Sequence, residues 1–154
     1  MNEARVYAVR HRISEALSRD GPTVDSLVSD ADARVALLAG RIEAFVAGRV
    51  AVLANWAEQP EEALFAGCQA IAEPAMNVAE VAEAAGMAAV GAVARGICVM
   101  LDGLTSRGIW HTEALRVHLR ALTLVLEQSS EPGAPSDTVV EELLVLRSSL
   151  GFTD

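Results

Sequence analysis

The chain contains no lysine. All 12 of its basic residues are arginine, against 21 acidic ones, which leaves a net charge of −9 over 154 residues. Without lysine there is no Schiff-base nucleophile and no phosphate-loop lysine. The acidic balance excludes a surface suited to nucleic acid, because affinity for the phosphate backbone needs clustered cations. Aromatic residues are almost as scarce, at six, although 52% of the chain is apolar and its mean hydropathy is +0.31. The core must therefore be aliphatic and alanine-rich, which suits close helix packing better than sheets. Cysteine occurs twice, at Cys68 and Cys98, outside any CxxC or Cys/His cluster. Both fall in phase with apolar stripes and read as buried, reduced thiols. Arg5, Arg10, His11 and Arg12 are not followed by the apolar run of a secretory leader. A cytoplasmic location is expected.

The remaining pattern is helical throughout. Met87–Leu104 is the most continuously apolar stretch, with Val90, Val93, Ala94, Ile97, Leu101 and Leu104 at three- and four-residue steps and only Arg95 and Asp102 charged. It predicts a central helix sheathed on nearly every side, and Asp102 and Glu83 bound it short of a membrane span. Around it we expect an antiparallel all-α bundle of about five to six helices in a single domain, residues 1–154. Residues 1–20 form an arm or short helix, with Val6, Val9, Ile13 and Leu17 along one side. Asp20-Gly21-Pro22-Thr23 is a turn. From Val24 or Asp25 to about Ala57, the residues Val28, Ala31, Val35, Leu38, Ile42, Phe45, Arg49, Val52 and Trp56 keep the alternating spacing of a coiled-coil seam. So long a helix must bend near Gly40 or Gly48 or pack on a second copy. Arg49 on the seam favours a homodimer through Asp25–Ala57, since a charge is easier to place at an interface than in a sealed core.

Pro60 with Glu61 and Glu62 marks a helix start. Pro74 predicts a kink or short break at Ala72–Pro74, with a second helical piece from there to Ala85, and Gly86 a left-handed stop. Trp110 is placed to pack over Leu115 ahead of a helix over Thr112–Gln128 with Leu115, Leu119, Leu122 and Leu126 inward. Residues 129–136 read as a linker, and Ser136 caps a last helix with Val139, Leu143, Leu146 and Leu150 inward.

No metal cluster, nucleotide fingerprint or Ser/His/Asp set is present, so neither a metal nor a cofactor is expected and the chain does not read as an enzyme. His118 is the one phosphotransfer candidate: a bundle histidine followed by Leu119, Arg120, Ala121 and Leu122. The basic and small residues each come one position early for a receiver-docking face, rotated about 100°. Gln69, Glu73 and Asn77 share a helix side as four-residue pairs and resemble a water-orienting acid and amide, with Pro74 between the last two. The residues offered for binding are Arg95 and Asp102 on the central helix and Arg116, His118 and Arg120 on the next, where Arg116 and Arg120 share a solvated face with Glu113.

Three segments carry a family likeness: ALSRDGPTVDSL at Ala16–Leu27, GICVMLDGL at Gly96–Leu104, and VHLRALTLV at Val117–Val125 after Trp110. Together, in this order and spacing, they resemble the CheE family, small accessory proteins of bacterial chemotaxis operons. The first segment has Gly-Pro where the family pattern has Gly-Gly. The resemblance implies a cytoplasmic accessory protein of a chemotaxis or related two-component pathway. With the missing catalytic groups and the small-protein architecture, it leads to the expectation of a non-enzymatic adaptor that binds a receiver domain or another chemotaxis component. It implies no catalytic residue, and His118 is only a position of the motif. The alternatives are a divergent phosphotransfer protein using His118 and a structural bundle outside chemotaxis.

Overall fold

The computed structural model describes residues 23–129 and 136–152, and among them there are six helices and no strand. The expected N-terminal arm and most of the 129–136 linker lie outside the described residues. The chain divides into two units, 1–38 and 39–154, with the boundary inside the first helix.

Helix α1, Val24–Ala57, opens where the sequence placed it. Thr23 caps it: its Oγ1 accepts from the Ser26 N–H at 3.2 Å, and the Ser26 hydroxyl donates back to the Thr23 carbonyl at 2.9 Å. The helix is unbroken at Gly40 and Gly48, and a side chain at either glycine would meet nothing within 4 Å. In the first unit Val24, Leu27, Val28, Val35, Leu37 and Leu38 are all exposed. In the second unit α1 buries Val46, Val50, Leu53 and Ala57. The bundle thus buries the row beside the expected seam, so of the two uses the sequence offered for that seam it is packing inside the bundle that fails. The expected seam runs through Phe45, Arg49, Val52 and Trp56, one residue earlier at every step, and one residue is about 100° of rotation. Phe45 and Val52 accordingly face outward.

Pro60 opens α2, Glu61–Ala66, its carbonyl accepting from Ala63 and Leu64 at 3.1 and 3.0 Å. A break then falls at Gly67, where an added Cβ would lie 2.4 Å from the Trp56 ring. Only glycine lets the indole pass. Helix α3, Cys68–Val81, continues through Pro74, so the alternative of a break at Ala72–Pro74 is not found. The carbonyl that the proline deprives of its donor belongs to Ala70, which is exposed to water. A short 3-10 turn, Glu83–Ala85, ends on Gly86 at φ 77°. The Gly86 and Met87 N–H groups bond back to Glu83 and Ala82 at 3.0 and 2.9 Å, the two closures of a Schellman motif.

Helix α4, Ala88–Arg107, packs against α3, α5, Thr112–Gln128, and α6, Ser136–Ser149. It is the central element, and Val90, Val93, Ala94, Ile97, Met100 and Leu101 are buried. Two expectations need correction. At 20 residues and a mean hydropathy of 1.5, α4 is long and apolar enough to cross a membrane by length and composition. Half of that window is buried by the protein's own helices, as in the core helix of a bundle. Nor is it sheathed nearly all round: Ala88, Arg95, Asp102 and Thr105 form an open stripe at helical spacing.

Gly108, at φ 68°, ends α4. His111 then caps α5, its Nδ1 accepting from the Ala114 N–H at 3.3 Å. Trp110 is half-buried; its indole donates to Thr112 Oγ1 at 3.0 Å and its ring meets Phe65 edge-on at 5.5 Å. After α6, Gly151 at φ 84° turns Phe152 back onto Gly103, where an added Cβ would lie 2.8 Å from the ring. The Arg107 guanidinium holds this turn by donating to the Gly151 carbonyl at 2.9 Å.

Candidate functional site: the His118–Arg147 groove

A groove that brings a histidine and two arginines together lies where α4, α5 and α6 meet. Its volume is about 420 Å³, and it is lined among others by Arg95, Gly96, His118, Leu144 and Arg147. His118 projects from the buried stripe of α5, on which Leu115, Leu119 and Leu122 also lie, and is 0% exposed. One ring nitrogen, Nδ1, lies 2.8 Å from the carbonyl of Ala114, one turn back. A carbonyl only accepts, so Nδ1 carries the proton and Nε2 presents its lone pair. That Nε2 is buried without a hydrogen-bond partner.

Burial pushes the pKa of His118 below its ordinary value, and the Arg147 guanidinium pushes it the same way, against the opposing pull of the Ala114 carbonyl. The ring is held neutral. Arg147 comes from α6 and is itself only 8% exposed. Gly96 of α4 makes room for both: a methyl there would stand 3.2 Å from His118 Cδ2 and 3.3 Å from Arg147 Nε.

This geometry corrects the phosphotransfer reading. A phosphorylatable nitrogen has to be reached by an aspartyl phosphate on another protein, in line with its lone pair. Nε2 is covered, and Nδ1 is engaged by the backbone. The position that sequence reasoning assigned to a receiver-docking face belongs to the core.

The other candidate residues are dispersed. Arg95 borders the same groove but is exposed, its Nη1 donating to the Ala79 carbonyl at 3.3 Å and to Glu83 Oε2 at 3.5 Å. Asp102 lies elsewhere on α4; its carbonyl accepts the Ser106 hydroxyl at 2.7 Å and the Thr105 hydroxyl at 3.1 Å. Arg116 and Arg120 do share a side of α5, yet both are engaged within the protein. Arg116 pairs with Glu113 and donates to the Gln59 carbonyl at 2.7 Å, and Arg120 reaches Glu58 Oε1 at 3.0 Å. They fasten α5 to the turn that follows α1. Of the five residues, Arg95 and His118 are brought to the groove, Arg116 and Arg120 to the turn after α1, and Asp102 to neither.

Gly96 and Arg147 are the members of the groove that the sequence reading missed. A signal for Arg147 existed: it follows Leu143 by four and falls in step with the inward residues of the last helix. Glu73 is exposed beside the half-buried Asn77 on the uninterrupted α3. Burial raises the pKa of both Cys68 and Cys98, with Glu80 adding to the rise at Cys98. Both thiols stay protonated and are weak nucleophiles. Among the described residues no group of histidine, cysteine and carboxylate is arranged to hold a metal ion.

Comparison of the chain with protein families, with curated proteins and with solved structures found no match.

Proposed function

We infer that this chain is a non-enzymatic signalling adaptor, acting by binding a receiver domain or another component of a bacterial chemotaxis pathway, in keeping with its resemblance to the CheE family. The observation that carries this reading is the contrast between covered chemistry and open apolar surface. The histidine that comes nearest to a nucleophile is buried. Meanwhile Val117 and Leu124 on α5 and Leu144 and Val145 on α6 stand 43–65% exposed on neighbouring helices. Clustered exposed aliphatic side chains mark surfaces that meet other proteins. Between α5 and α6, Val117 and Leu124 border a groove of about 470 Å³ floored by Ala121 and Leu143, with Arg120 and Glu142 at its rim. An apolar centre with a charged rim is the usual anatomy of a protein interface.

The test is a titration of the purified chain against the receiver domains, kinase and coupling proteins of its own chemotaxis operon, each with and without phosphorylation. Saturable binding to one of them, weakened by Val117→Glu or Leu124→Glu, supports the adaptor reading. Absence of binding to all of them overturns it.

A further inference from the structure

Helix α1 carries two apolar faces, and the bundle uses only one. Val46, Val50, Leu53 and Ala57 are buried within the second unit, to which they belong. The other is the 3–4 spaced row Val24, Val28, Ala31, Val35, Leu38, Ile42 and Phe45, three heptads long, of which Ile42 alone packs partly against the bundle core. Val24, Val28, Val35, Leu38 and Phe45 in it are 64%, 53%, 66%, 56% and 40% exposed. We propose that this row is the zipper of a parallel, two-stranded coiled coil formed with a second copy of the chain.

The occupant follows from the pattern. A row spaced by 3.5 residues per turn stays in register only against a helix of the same repeat. The aliphatic stripe of α5 is already buried within its own bundle. In heptad terms Val28, Val35 and Ile42 occupy the a positions, and Val24, Ala31, Leu38 and Phe45 the d positions. β-Branched residues at the three a positions within the row, with leucine at a d position, favour two parallel strands. Charge points the same way. Arg34 and Arg41 both sit at g positions, and an antiparallel pairing centred between Val35 and Leu38 would set Arg34 beside Arg41 of the other copy. A parallel pairing avoids that contact. Arg49, the next a position, has its guanidinium 5.2 Å over the Phe45 ring, and it closes the zipper at its bundle end.

Size sets the expected strength. The row spans about 32 Å at 1.5 Å per residue, and covering a third of a helix of that length hides on the order of 500 Å² on each copy. The total, about 1,000 Å², stands at the lower bound for a specific interface. A reversible dimer results, one that dissociates on dilution.

The proposal is independent of the adaptor reading and is tested on the chain alone. Sedimentation velocity over a concentration series should show monomer passing to dimer. Val35→Glu and Leu38→Glu, both at exposed sites, should weaken the dimer at least tenfold while leaving helicity and melting of the dilute monomer unchanged. Val145→Glu on α6 should leave the dimer constant as it was. In a Cys68→Ala, Cys98→Ala background, Val28→Cys should oxidise to a linked dimer on its own. A chain that stays monomeric throughout the series refutes the proposal, as does a dimer indifferent to Leu38→Glu. Cross-linking of Val28→Cys only when mixed with Phe45→Cys refutes the parallel orientation.

Discussion

The buried imidazole of His118 makes the stability of the bundle sensitive to mild acid. In the folded chain burial and Arg147 hold the ring neutral, with its pKa below the ordinary 6.5. In the unfolded chain the ring is in water and takes a proton near pH 6.5. Below that value the unfolded state binds more protons than the folded one, so stability falls with pH, by at most about 1.4 kcal/mol per unit. The stability is fully present above pH 6.5 and is lost as the pH drops toward the depressed folded-state pKa. Between pH 7 and pH 5.5 the largest loss from this one residue is about 1.2 kcal/mol. For a domain of this size that lowers the melting temperature by roughly 3–5 °C. Urea denaturation at half-unit pH steps measures it directly, and His118→Leu is the control. The leucine removes the titrating group together with a buried nitrogen that has no partner. It also gives up the bond to Ala114, so the two changes offset and stability at pH 7 should move by no more than about 1 kcal/mol. If His118→Leu loses stability between pH 7 and 5.5 as steeply as the parent, the reasoning about the buried neutral ring is wrong.

Incubating the chain with phosphorylated receivers or with the pathway kinase should leave His118 unlabelled at native pH; acid-labile label lost in His118→Gln would contradict the buried position of the ring. Leu53→Ala should cost about 2–5 kcal/mol in chemical denaturation, because Leu53 is 0% exposed in the core. Gly67→Ala should cost about 1–3 kcal/mol, since the new methyl would overlap the Trp56 ring. Glu58→Gln should change stability by no more than about 1 kcal/mol, because its bond to Arg120 is exposed on both sides.

Much of the fold was legible because the signals that start and stop helices are local. Pro60 before two glutamates and Gly86 after an amphipathic run each act within one turn of chain, and each is found where expected. The clean leucine stripe of Thr112–Gln128 was equally plain. The face that α1 turns to its bundle was not. Residues 45, 49, 52 and 56 and residues 46, 50, 53 and 57 have the same spacing, and only the neighbours on the bundle side decide between them. Pro74 misled for a similar reason: its cost depends on whether the abandoned Ala70 carbonyl meets water, which no local pattern records. The groove was half visible. His118 was marked by its neighbours in sequence, while Arg147 and Gly96 reach it from helices far away along the chain.

The tight left-handed turns at Gly86 and Gly108 have a kinetic consequence. Each leaves too few residues for its two helices to separate, so α3, α4 and α5 meet their principal neighbours in the order of synthesis. Such short loops close at small entropic cost. The three-helix centre of this protein is therefore expected to assemble fast, on the microsecond-to-millisecond scale of helical domains with mostly local contacts, ahead of the docking of α6 and Phe152.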